Sequence, residues 1–83
     1  MNQAEILELI NTYNSIDRTI IKVNLKRLMT GHSIKPGDII SLGYAKNNVY
    51  SWTSKSSPNI PLFEQALNIA TVFNFNVKEF LKK

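Results

Sequence analysis

The stretch that decides the fold is PGDIISLGYAKNNVYSWT, residues 36–53. Proline suits the first position of a helix because its missing N–H would have no partner there. Asp38 then lies in the first turn, where a carboxylate interacts favourably with the helix dipole. Gly43 ends this helix after a few residues, since glycine accepts the positive φ that a tight turn requires.

A second short helix is predicted after the glycine, over residues 46–53. Val49 and Trp52 are three residues apart and therefore face the interior together. Two short helices joined at a glycine-containing turn are the layout of a helix-turn-helix, whose second helix enters the DNA major groove. The side chains left on the exposed side can donate to or accept from base edges. They are Lys46, Asn47, Tyr50 and Ser51.

The N-terminal segment is predicted to be a helix from residue 2 to about residue 14. Asn2 can cap it, and Glu5, three residues on, can close a capping box. Apolar side chains recur at helical spacing on one face. They are Ile6, Leu9, Ile10 and Tyr13. Such a helix either adds burial to a small core or offers a surface to a protein partner, and the shortness of the chain favours the first alternative.

The next helix is predicted from about residue 18 to residue 30, with Asp17 as its cap. Its apolar stripe consists of Ile21, Leu25, Leu28 and Met29. Its basic residues are expected on or beside the solvated face; they are Lys22, Lys26 and Arg27. Gly31 stands where a helix commonly ends in a left-handed residue.

The C-terminal third contains a loop and two further helices. Residues 54–61, rich in serine and proline, are a loop by composition. Residues 62–73 keep a helical period through Phe63, Ala66, Leu67, Ala70 and Phe73. Asn76 can cap a last helix, whose buried side would hold Val77, Phe80 and Leu81. Because no segment shows sustained alternation of apolar and polar residues with turn signals, the prediction is an all-α bundle of five to six short helices.

Composition limits the class of protein. The chain has 83 residues, enough for one domain over residues 1–83, and it contains no cysteine and one histidine. We therefore expect neither disulfides nor a metal site. The absence of cysteine fits a reducing, cytoplasmic environment. No apolar run approaches the roughly 18 residues of a membrane span. The six carboxylates are scattered without a pair placed for acid–base work, and no cofactor-binding loop is present. We expect no enzyme, no cofactor and no membrane partner.

Charge is unevenly distributed along the chain, whose net charge is +4. Residues 1–17 contain three acidic residues and no basic one, whereas residues 18–56 contain seven basic residues and only Asp38 as an acid. A basic middle third is what a surface for a polyanion would look like, although a solvated basic surface would look the same.

Two stretches resemble a known family. GYAKNNVYSW (residues 43–52) is similar to the turn and recognition helix of Cro and phage-repressor (XRE-like) helix-turn-helix domains, and LNIATVFNFNVKEFL (residues 67–81) is similar to their last two helices. The resemblance covers residues 25–81 and implies a repressor-like core over residues 18–81, preceded by an extra N-terminal helix (residues 1–15). It also implies a lambda-repressor-like fold, duplex DNA as partner, and a homodimer.

The resemblance also implies roles for single residues. The base-contacting positions of the family fall on Lys46, Asn47, Tyr50 and Ser51. The DNA-backbone positions fall on Lys35, Asn48, Ser54, Lys55, Ser56 and Asn59. Two roles are open for Tyr50: its ring packs at the rim of the core, or its phenol contacts the DNA groove.

The register before Gly43 differs from the family pattern. Asp38 falls where the family buries a leucine, and Ile39 falls where it has an alanine. Either the first helix of the pair is one residue shorter, so that Ile39 and Ile40 point inward, or the angle between the two helices differs.

Two functions are compatible with these residues. The first is a sequence-specific transcriptional regulator of the phage or mobile-element repressor or Cro type, bound as a dimer to a two-fold operator. The second is a protein-interaction module on a helix-turn-helix scaffold, such as an anti-repressor, an inhibitor of a host protein or a DNA-packaging adaptor, because a fold does not fix a function.

Overall fold

The computed structural model describes residues 2–83, and these residues form helices and loops with no strand. The bounds of the α-helices are α1 Gln3–Ser15, α2 Arg18–Gly31, α3 Pro36–Ile40, α4 Lys46–Thr53 and α5 Phe63–Val72, and a 3₁₀ helix closes the chain over Val77–Leu81. The predicted all-α class is confirmed, and α4 has the predicted bounds. Met1, the first residue of the predicted N-terminal helix range, lies outside the described residues.

One hydrophobic core joins the elements, with α2 at its centre. Helix α2 packs against the closing 3₁₀ helix and against α4, while α3 packs against α4. Helix α1 packs against α5 and the closing helix, and it contributes Leu9 and Tyr13 to the core. The extra N-terminal helix therefore adds burial, as a domain of this size requires.

The predicted caps are present at three helix starts. The side-chain oxygen of Asn2 accepts from the Glu5 N–H at 2.9 Å, and that of Asp17 accepts from the Thr19 N–H at 2.8 Å. The oxygen of Asn76 accepts from the Lys78 N–H at 2.9 Å. Each cap satisfies an amide that has no partner within its own helix.

The prediction for Gly31 is wrong, because the left-handed residue after α2 is Ser33, with φ 55°. Gly31 is the last residue of the helix itself. With the reversal at Ser33, the Ile34 N–H reaches the Met29 carbonyl at 2.7 Å and the Ile34 side chain becomes buried. This hydrogen bond and the burial of Ile34 are typical of a Schellman motif at the end of a helix. The need to bury Ile34 therefore sets the position of the left-handed residue at Ser33.

The apolar face of α5 is rotated from the predicted one. Ile69 is fully buried, whereas Leu67 is 37% exposed. Ala66, Ile69 and Ala70 follow the i, i+3, i+4 spacing of a helix face, and this leaves Leu67 at the edge. In α1, Ile6 is similarly at the edge. None of the helices in residues 2–83 combines the length and apolarity that a bilayer crossing demands.

Candidate nucleic-acid interface

The turn between α3 and α4 depends on the backbone conformation of Gly43 and on the packing of α4 against the core. Gly43 adopts φ 106°, which a residue with a side chain rarely does. After it, Val49 and Trp52 fix α4 to the core, being 0% and 4% exposed. Tyr44 packs its ring edge against Trp52, with the ring centroids 5.6 Å apart. The prediction that Val49 and Trp52 face the interior is confirmed, and these two side chains anchor α4 to the core.

The structure agrees with the first alternative for the register before Gly43. Helix α3 has only five residues, Ile39 is fully buried and Ile40 is partly buried. Asp38 is exposed, and its carboxylate accepts from the Lys35 N–H at 2.8 Å. Because this carboxylate already occupies the start of α3, Lys35 offers an anion its ammonium group rather than the end of the helix.

The outer side of α4 presents three of the four predicted base-contacting residues. Lys46, Asn47 and Tyr50 are exposed, Tyr50 by 48%. The Lys46 ammonium lies 6.0 Å from the centre of the Tyr50 ring, at the outer limit of a cation–π contact. Ser51 is only partly exposed, and its hydroxyl donates to the Asn48 carbonyl at 2.7 Å. Ser51 is therefore the least available of the four.

The predicted DNA-backbone residues lie in three places, with Lys35 just before α3, Asn48 within α4 and the other four in the loop after α4. The exposed ones are Lys35, Asn48, Lys55, Ser56 and Asn59, and Ser54 is partly buried. The hydroxyls of Ser54 and Ser56 are 2.9 Å apart, so one donates to the other. In the loop, Lys55 is therefore the main candidate to bind a phosphate.

The prediction that Lys22 lies on or beside the solvated side of α2 is wrong. It is only 9% exposed, and its ammonium donates to the carbonyls of Ser51, Trp52 and Asn59 at 2.6, 3.0 and 2.6 Å. Burial lowers the pKa of Lys22 below its ordinary value, while the three acceptors favour the charged form. All three protons of the ammonium are used. Lys22 thus ties the last turn of α4, and the loop after it, to α2.

The loop of residues 54–61 is held at three of its carbonyls. Besides Lys22 at Asn59, Arg18 donates to the Pro58 carbonyl at 3.3 Å, and the Tyr13 hydroxyl donates to the Pro61 carbonyl at 2.6 Å. Burial raises the pKa of Tyr13 above its ordinary range. The segment predicted from its composition to be a loop is therefore fixed by α1 and α2.

Asn24 is a second buried polar residue of α2 that the sequence pattern did not reveal. It is 4% exposed, and its amide donates to the carbonyls of Phe80 and Lys82, each at 2.7 Å. It fixes the end of the closing helix in the way that Lys22 fixes the end of α4. Among the described residues, no buried side-chain nitrogen or oxygen lacks a partner.

No protein-family model, curated protein or solved structure matches this chain. The likeness to repressor domains accordingly stays a prediction from two sequence motifs. A functional assignment has to be carried by the side chains of α4 and the charges around them.

Proposed function

We propose that the protein is a sequence-specific, non-catalytic DNA-binding protein of the cytoplasm, a transcriptional regulator of the phage or mobile-element repressor or Cro type. Helix α4 would enter the major groove, and a homodimer would read a two-fold operator. The observation that carries the proposal is the exposure of Lys46, Asn47 and Tyr50 on a helix fixed from behind by Val49 and Trp52.

The chemistry of these side chains suits base recognition. An asparagine amide both donates and accepts, and it pairs with the N6 and N7 atoms of adenine. A lysine ammonium donates to the O6 and N7 atoms of guanine. Because the core holds the helix, its backbone needs no ordering at the moment of binding, and the remaining entropic cost is that of the exposed side chains. Lys35 and Lys55 add phosphate contacts that strengthen binding without reading sequence.

Duplex binding tests the proposal. Lys46→Ala and Asn47→Ala should each cost about 1–3 kcal/mol on the cognate site and relax specificity there. Lys35→Ala should instead weaken binding to all sequences alike. Lys78→Ala serves as the control, since this lysine lies beside the acidic residues Glu5 and Glu8. Unchanged affinity in both α4 variants would refute the assignment of the recognition helix.

A protein-interaction module is the second candidate, and exposed apolar side chains favour it. Leu7 on α1 is 55% exposed, and Leu62, just before α5, is 62% exposed. A partner protein covering them would make the chain an anti-repressor, a host-protein inhibitor or a packaging adaptor. The two candidates separate in a salt titration with random duplex DNA, because this second candidate predicts no binding even at low salt.

A further inference from the structure

A groove runs between α2 and the C-terminal end of α4, outside the proposed base-reading face. Its larger part has a volume of about 380 Å³ and is lined by Val23 and by the polar residues Thr19, Lys22, Lys26, Thr53, Ser54 and Lys55. A neighbouring cavity of about 240 Å³ extends from Lys26 and Thr53 to Pro36 at the start of α3. Because both cavities are lined by Lys26 and Thr53, they lie next to each other, and we name the two together the α2–α4 groove.

The α2–α4 groove carries positive charge only. Three of its lining residues are lysines, and no carboxylate lines either cavity in the part of the chain that the structure describes. Val23, 59% exposed, adds apolar surface to the larger of the two cavities. Amines beside apolar surface complement a phosphodiester chain, in which charged phosphates alternate with apolar sugar faces.

The hydrogen-bond donors in the groove are limited, and this decides which residues would act. The Lys22 ammonium already donates to three carbonyls, so it contributes positive charge to the groove but has no N–H left to donate to an anion. The Thr53 hydroxyl donates to the Tyr50 carbonyl at 3.2 Å. The exposed ammonium groups of Lys26 and Lys55 are therefore the principal donors for an anion.

We propose that the α2–α4 groove is a contact for the DNA backbone, with Lys26 and Lys55 donating to phosphates of the strand beside the major groove that α4 occupies. The groove begins where α4 ends, at Thr53, and reaches the residue next to Lys35, so it continues the proposed interface. This inference rests on the proposed function and adds Lys26, on α2, to its contact residues.

The test is the salt dependence of binding to a random duplex by the full chain. Each lysine–phosphate contact contributes about 0.9 to the slope of log affinity against log salt. Lys26→Gln and Lys55→Gln should each reduce the slope by about that amount and weaken binding several-fold at physiological salt. Lys78→Gln, which removes the same charge beside Glu5 and Glu8, is the matched control and should leave the slope nearly unchanged.

Two failures are distinguishable. If the unmodified chain binds the duplex and Lys26→Gln has the same slope as Lys78→Gln, the groove contact is refuted and the proposed function stands. If the unmodified chain does not bind the duplex at low salt, the proposed function itself is refuted. Since Lys26 is exposed, thermal unfolding of the variant should match that of the unmodified chain, so loss of fold does not enter the comparison.

Discussion

Lys22 shows how one side chain can fix α4, the proposed recognition helix. Its positive charge lies at the carbonyl end of α4, where a cation is favoured by the helix dipole. It also satisfies three carbonyls, one of which belongs to the loop after α4. A buried ammonium without such partners would cost several kcal/mol. Replacing the amine would take this donor from all three carbonyls, and only that of Ser51 would keep another, the Ser54 N–H at 3.3 Å.

Lys22→Met keeps the apolar stem and removes the ammonium group. We expect it to lower the free energy of unfolding by about 2–3 kcal/mol, because hydrogen bonds to a charged group are worth about 1.5–3 kcal/mol and part of the loss is recovered from water. Urea unfolding followed by circular dichroism measures the change. Lys26→Met, one turn further along α2 and exposed, should change stability by less than about 0.5 kcal/mol. Equal effects of the two substitutions would contradict the role of Lys22.

Tyr13 predicts a loss of stability in alkali. Burial raises its pKa in the folded chain, while in the unfolded chain the value is about 10. Below pH 10 both states keep the proton, so the contribution of Tyr13 to stability is fully present there. As the pH rises above about 10 the unfolded chain loses the proton first, and stability falls. The urea midpoint, measured from pH 8 to pH 11, should therefore decline.

The control is Tyr13→Phe, which removes the titrating hydroxyl but keeps the ring among Phe63 and Phe80. Its decline over the same pH range should be shallower than that of the unmodified chain. The comparison cancels the contribution of the lysines, which titrate in both proteins. Parallel curves would show that Tyr13 ionises in the folded state as easily as in the unfolded one.

At the scale of the element, the α3–α4 turn depends on the one glycine that adopts a positive φ. Gly43→Ala should destabilise the fold by about 1–3 kcal/mol, since a non-glycine residue in that conformation is strained. Gly31→Ala is the matched control, because the space around Gly31 is open and its φ is not positive. In that helical position alanine should be neutral or stabilise by up to about 1 kcal/mol. Destabilisation of similar size at both glycines would contradict this account of the turn.

The helices were largely predictable from sequence because their signals are local. Pro36, Gly43 and the spacing of Val49 and Trp52 all lie within one short stretch and specify α3 and α4. Lys22 was not predictable, because its acceptors lie 29 to 37 residues away and a helical period places a lysine in solvent by default. The α2–α4 groove escaped prediction for the same reason, since residues of α2, α3 and α4 line it together.

The two reversed helix ends show how tertiary packing overrides a local signal. Ser33 and Asn74 adopt φ 55° and φ 60°, and the residues after them donate back five positions, Ile34 to Met29 and Phe75 to Ala70. Gly31 was available two residues earlier, but a reversal there would have moved Ile34 out of the core. The local preference for glycine is worth about 1 kcal/mol, less than the burial of an isoleucine.

On the scale of the whole molecule, the charged residues of α1 are all acidic, whereas those of α2 and α4 are all basic. The acidic residues Glu5 and Glu8 are on α1, which packs against α5 and the closing helix, whereas the basic residues of the proposed interface are on α2, the start of α3, α4 and the following loop. An uneven charge distribution of this kind orients a protein as it approaches a polyanion. We infer that the side of the molecule with the basic residues of α2 and α4 meets the duplex first.

Selection of bound duplexes from a random pool tests directly whether the exposed side of α4 reads DNA sequence. We expect the unmodified chain to enrich one motif, with half-sites about one helical turn apart. Asn47→Ala should still bind, but it should lose the base preference at one position of each half-site. A pool that stays random, or a motif that Asn47→Ala and Lys46→Ala both leave unchanged, would contradict the account.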